Sequence, residues 1–342
     1  MERPIGPRLA PVVSIALGLA LAACNGSRHD PKAGLSIAGS VDVTGASGEA
    51  LAVDPALRVL YIGGGFGQTG IVRVDVSNPA AMTATPFALG FGGGVAVDLA
   101  THRVGATDGY TGDIGIFEAT GVTFDAAPIV GCGGSVAAGD ATFLASTQCV
   151  DRLSVYDDVL RRVVYDVPLG GVGSHVFFNP ATARFYGNRT PKSANAGRDN
   201  ALVLTPVGAT FTASDMPLDG DLAVVDPALN RLWFYAVPTT GTASPLVALD
   251  GSSHSPLFTT PVTTTSGALA ISGGLLVQSG SDKHLRLFDA ATGVELDDID
   301  FIAASGGYEV PAGIAADADH AYVIGQKAGA PKRLFVLALR RP

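Results

Sequence analysis

An all-β fold, a seven-bladed β-propeller of four-stranded blades, is what this sequence predicts, and three observations carry the prediction. A unit of two apolar runs around a turn rich in Asp, Asn, Pro and Gly recurs every 39 to 47 residues. Most copies continue with a third and a fourth β-rich segment, the pattern of a propeller blade. Glycine occupies 44 of 342 positions and hydrophobic types make up 47%, against 15% charged. That balance suits short buried strands joined by tight turns and argues against a disordered chain.

The first element is not part of the repeat. Arg3 and Arg8 precede an apolar run from Pro11 to Ala20, and Leu21-Ala22-Ala23-Cys24 follows at once. The run is short for a permanent helix across ~30 Å of hydrocarbon, and small residues stand before the cysteine as at a processing site. Residues 1–23 therefore read as an export signal. The Leu-Ala-Ala-Cys string resembles the lipobox of bacterial lipoproteins. The resemblance implies cleavage before Cys24, a diacylglycerol on its thiol and an acyl chain on its new amino terminus, with the membrane as partner. More than one acyl chain anchors stably. By similarity to proteobacterial sorting, Asn25 after the cysteine implies the outer membrane. Residues 24–34 become a lipidated tether, and residues 35–342 form one propeller domain. An ordinary secretory signal and a retained apolar N-terminal helix are the alternatives at this point.

The clearest repeats are LAVDPALRVLYIGG from Leu51 and LAVVDPALNRLWFYAV from Leu222. Their turn residues, with the weaker copies, are Asp54, Asp98, Asp140, Asn179, Asp226, Ser272 and Asp317. Asp and Asn suit such turns because their side chains bond nearby backbone and tolerate left-handed conformations. Outer strands are predicted at TPFALG, FDAAPIV, RRVVYDVPL, FTASDMPL, LFTTPV and VELDDIDF. The seventh copy ends without one, and LSIAGSVDV (35–43) precedes the first copy without a partner, so the N-terminal strand is expected to complete the last blade and close the ring. A run of sandwich domains would instead give periods near 90 residues.

Patterns such as AVDPALRVLYIGG and FFNPATARFY resemble bacterial seven-bladed propellers with YVTN-like or lactonase-like repeats, over essentially the whole mature chain. The stretch from GCGGSVAAGD to GVGSHVFFNPATARFY is similar to a group of uncharacterised secreted propellers. These patterns specify blade geometry and no chemistry.

Candidate functional residues are few. Cys132 and Cys149 remain after lipidation, an even count for an oxidising compartment, and lie symmetrically about the Asp140-Ala141 turn. A cross-strand disulfide is expected, worth about 3 kcal/mol, with a pair of buried free thiols as the alternative. His102, His254, His284 and His320 are scattered one to a repeat and read as turn or edge residues. His175 stands where an inner strand begins, near the channel, and resembles the histidine that opens a blade in lactonase-type propellers. A structural role for this lone histidine is the alternative; if it meets a ligand, as the lactonase-like resemblance implies, the blade-entry carboxylates Asp219 and Asp221 are the candidates to surround that ligand with it. The insertion Asn188 to Asn200 reads as a solvated loop, and the glycine clusters at Gly63 and Gly90 as tight loops near the channel. No metal-ligand, haem, phosphate-loop or nucleophile-elbow motif is present, and a single tryptophan does not suit a quinone propeller. No cofactor or metal is expected, and no catalytic residue is assigned. The net charge of -9 is spread along the chain without a basic stripe, which argues against nucleic acid. The expected function is that of a monomeric, lipid-anchored envelope protein whose propeller binds an unknown protein or envelope ligand. A lactonase-like hydrolase with its site in the central channel is the alternative.

Overall fold

The computed structural model describes residues 33–45, 48, 50–64, 70–109, 111–139, 141–147, 150–168, 171–191, 200–207, 210–236, 244–262, 267–310 and 313–341. Cys24, with the expected signal and most of the expected tether, lies outside the described residues, as do Asp140 and Cys149.

Antiparallel hairpins dictate the architecture. Each blade has an inner, second, third and outer strand, and the short turns between them prevent any other neighbour order. The inner strands are Ala50–Asp54, Val95–Asp98, Gly133–Gly139, Gly171–Asn179, the later part of Thr210–Asp226, Leu269–Ser272 and Ile314–Ala316. Blades 1 to 6 finish on outer strands of their own. Blade 7 does not. Its outer strand is Gly34–Asp42, which pairs with Arg333–Arg340 from Gly34↔Arg340 to Asp42↔Arg333. The ring closes as the orphaned ends of the sequence predict.

The core is a ring of layers between blades. Seven buried apolar clusters occur among the described residues, and each draws on two adjacent blades. The second strands show why. In Val59–Gly63, Val59 and Tyr61 pack toward blade 2, while Leu60 and Ile62 pack toward blade 7. Successive side chains point to opposite faces, and here both faces are covered, so such strands read as unbroken apolar runs instead of alternating ones. Close approach of blades demands glycine at one notable point: a Cβ on Gly105 would lie 2.3 Å from the Phe143 ring of blade 3.

Two faces result. The turns between inner and second strands, and those between third and outer strands, lie on one side, the turn face. Loops between second and third strands, and the connections between blades, lie on the other, the loop face. At the turn face the repeated Asp or Asn caps its own hairpin. Asp54 accepts from the N–H groups of Ala56 and Leu57 at 3.0 and 3.1 Å, and Asp226 does the same for Ala228 and Leu229. The fifth residue of these turns has positive φ, as at Arg58, His102, Ala183 and Asn230. The turns also join blades. Asp54 meets His102 Nδ1 of blade 2 at 2.7 Å, and Asn179 of blade 4 donates to Asn230 of blade 5 at 2.9 Å. His254 likewise sits in a turn, against Tyr186, while His284 and His320 lie beside Asp298 and Asp317.

Four features depart from the sequence expectation. The outer strand of blade 4 and the inner strand of blade 5 are one strand, Thr210–Asp226, which merges both blades into a seven-stranded sheet. The chain passes between them at Gly220, where φ is 154° and a Cβ would lie 2.4 Å from the Tyr235 carbonyl oxygen. The segment VELDDIDF ends one residue early as a strand, because Asp300 caps a short helix, Phe301–Ser305, by accepting from Ala303 N–H. The insertion is not loop from its first residue, since Arg184–Pro191 runs on through Asn188 as strand. Finally, Val136↔Ala145 to Gly139↔Thr142 follow the predicted symmetric register, but a bulge shifts the next pair to Gly133↔Thr147, so the register beside Cys132 is displaced by one.

Leu35 is 7% exposed and packs into the layer between blades 6 and 7. Leu35→Ala is expected to lower stability by about 2–5 kcal/mol, read from the midpoint of urea unfolding.

Candidate site at the mouth of the central channel

The inner strands start around the axis on the loop face, and the connections that deliver them are rich in glycine. Gly93, Gly94, Gly133, Gly134, Gly267 and Gly313 all line the opening. Backbone meets backbone there. Gly94 N–H donates to the Gly134 carbonyl at 2.8 Å, and Thr107 Oγ1 donates to the same oxygen at 2.7 Å. The result is a cavity of about 860 Å³ to which all seven blades contribute.

Its wall is uneven. Blades 1, 2, 3 and 7 present mainly glycine and small apolar groups, among them Ala50, Val95, Val136 and Ile314, whereas blades 4 to 6 bring His175, Asn188, Asp221, Tyr235, Ser279 and Lys283. A pocket with one smooth side and a few convergent polar groups on the other is the usual form of a small-molecule site.

The polar groups are held in place. Asn188, 2% exposed, donates to the Leu222 carbonyl at 2.8 Å and accepts from Leu222 N–H at 3.1 Å, so it ties blade 4 to the inner strand of blade 5. Tyr235 stands opposite Asp221 in the register of blade 5. Its hydroxyl accepts from Gln278 Nε2 at 3.1 Å. Burial pushes the Tyr235 phenol up to about 12, against the smaller opposing pull of the Gln278 hydrogen bond, so it is a neutral hydrogen-bonding group through the physiological range. Gln278 is fully buried, and its Oε1 lacks a partner among the described residues. Lys283 at the rim pairs with Glu309 at 3.0 Å. Behind this wall, Arg286 bonds Asp282 through both carboxylate oxygens, which hold its guanidinium above its ordinary pKa.

The structure thus brings His175 and Asp221, two of the residues singled out from sequence, into one cavity lining. His175 is exposed there, and Asp221 is half-buried. The side chain of Asp219 lies outside the described residues. Cys132 is buried immediately before the inner strand of blade 3. Among the described residues no group of three or more His, Cys, Asp or Glu could hold a metal ion. Sequence reasoning missed Asn188, Tyr235, Gln278 and Lys283. A signal for two of them existed. Thr107, Asn188 and Tyr235 each stand nine positions after a turn residue, Asp98, Asn179 and Asp226, where the second strand reaches the channel.

No protein-family model matches the chain, and no curated protein does. Among solved structures, a chain of the "Crystal Structure of Mitotic Checkpoint Complex" is similar, with a TM-score of 0.69 at 8% identity over 96% of this chain and 100% of that one. At that identity the likeness speaks for the propeller fold alone.

Asn188→Ala strands the backbone groups of Leu222 and is expected to cost about 1–3 kcal/mol, measured by urea denaturation against the parent protein.

Proposed function

We propose that this chain is an exported lipoprotein, cleaved before Cys24 and held to the outer membrane by acyl chains on that residue, whose propeller is a binding and protein-interaction scaffold. The export half rests on the order Arg3 and Arg8, apolar run, Leu-Ala-Ala-Cys24. The scaffold half rests above all on the channel mouth, where an 860 Å³ cavity carries polar groups fixed in advance by hydrogen bonds between blades. Such pre-organisation lowers the ordering cost of binding. The partner is a protein or an envelope ligand, and the propeller acts as a monomer. A disulfide between Cys132 and Cys149 belongs to this reading, supported by the burial of Cys132.

Cys24→Ser is expected to move the protein from the membrane fraction to the soluble one. Intact mass of the membrane-bound parent should show the acyl chains, and two hydrogen atoms fewer than the dithiol form. Retention of the variant in the membrane fraction overturns the anchor.

A second reading, a lactonase-like hydrolase, is favoured by one observation: His175 and Asp221 line the same cavity. If it holds, the purified protein opens simple lactones, and His175→Ala or Asp221→Asn lowers the rate by about 100-fold or more, as loss of a general acid or base does. A parent protein inactive across a panel of lactone ring sizes removes this reading.

A further inference from the structure

We propose that the turn face is the side of the propeller that lies on the lipid bilayer, so that the channel mouth opens away from the membrane; this rests on the acylation of Cys24 proposed above. The point where the chain leaves the propeller comes first. Gly34 pairs with Arg340, and that end of the strand pair is tied to the first turn of blade 7. Leu339 N–H donates to the Asp319 carbonyl at 2.8 Å, and Arg341 donates to the Ala318 carbonyl at 2.9 Å. The tether therefore departs from the turn face, at its rim.

Tether length then selects the orientation. Nine residues lie between Cys24 and Gly34, and the ten steps from one to the other reach at most about 35 Å when fully extended. The outer strand Gly34–Asp42 has nine residues, roughly 30 Å of blade height. Seating the loop face on the membrane would oblige the tether to run the full height of blade 7 and would leave it stretched almost straight. Seating the turn face asks nothing of it.

The surface chemistry agrees. Leu57, Leu99 and Leu229 in first turns, and Val122, Val159 and Leu160 in second turns, are 40% to 78% exposed, although nothing in hairpin geometry demands large apolar side chains there. Small apolar tips on an anchored protein gain by burial at the acyl boundary. The carboxylates that share this face are partly engaged, since Asp54, Asp98, Asp157 and Asp226 accept from turn N–H groups. Its cations include Arg58 and Arg162, whose forked donors suit phosphate headgroups. Lys283, Lys327 and Lys332 instead sit in loops of the opposite face. A second copy of the chain on this surface would have to stand where the chain's own anchor enters the lipid.

The test uses the full acylated protein in phosphatidylcholine vesicles with and without brominated acyl chains, with tryptophan as the probe. Trp233 is the single native tryptophan and is fully buried, so it supplies a constant background. Leu99→Trp and Leu229→Trp are expected to lose about half or more of the added emission to bromine, because side chains at the acyl boundary sit ~5–10 Å into the interface. Leu89→Trp, on the loop face and 80% exposed, should be unaffected. Quenching of Leu89→Trp to the same degree overturns the orientation, and so does a turn face left unquenched on protein that is acylated and floats with the vesicles. Flotation and intact mass report the anchor separately. A chain without acyl mass that stays off the vesicles removes the anchor, and this orientation with it.

Discussion

The pairing of Gly34–Asp42 with Arg333–Arg340 is the contact on which the rest of the molecule depends. It makes a four-stranded blade from two strands at opposite ends of the chain, and it places Leu35 in the layer between blades 6 and 7. Each of the other layers needs two complete neighbours to cover it. Without the shared blade, two open edges would face water, and the layers on either side would lose a wall. The many modest layers between blades act together because the ring leaves none of them terminal.

Closure also explains the economy of the turn face. The Asp and Asn side chains that cap the hairpins have a second oxygen or an amide to spare, and Asp54 and Asn179 use it to reach the left-handed residue of the next blade, His102 and Asn230. A residue type chosen by local turn geometry thus becomes a connector once the blades are arranged around an axis. On the loop face the same arrangement brings seven strand starts together, and glycine lets their backbones converge without filling the opening. The polar groups of blades 4 to 6 then project into a space that the fold has already desolvated in part, which is why the Tyr235 phenol is pushed up to about 12.

Much of this was legible in the residues. The turn positions, the four-strand repeat and the identity of the closing strand follow from local turn chemistry and from counting strands. His175 and Asp221 were legible as channel residues from an expected place at the start of an inner strand; both do line the cavity, but His175 stands within Gly171–Asn179, where the register shifts between Gly173 and Val176, and Asp221 stands within Thr210–Asp226. Asn188 was not, because its position inside a polar, glycine-containing insertion suggested solvent, whereas its amide is buried against Leu222. The merged strand Thr210–Asp226 and the bulge beside Cys132 were also hidden, since both arise from how neighbouring strands twist and pair.

By itself the sequence determined the blade, its number and its closure, because these depend on periodicity and on turn residues whose preferences are local. Only the tertiary structure decided which side chains meet. The walls of the channel come from strand starts on all seven blades, far apart along the chain, and a shift of one residue in register turns a side chain from the cavity to a neighbouring layer. The direction in which the chain leaves the propeller was decided in the same way, by the register of a strand with a partner nearly 300 residues away.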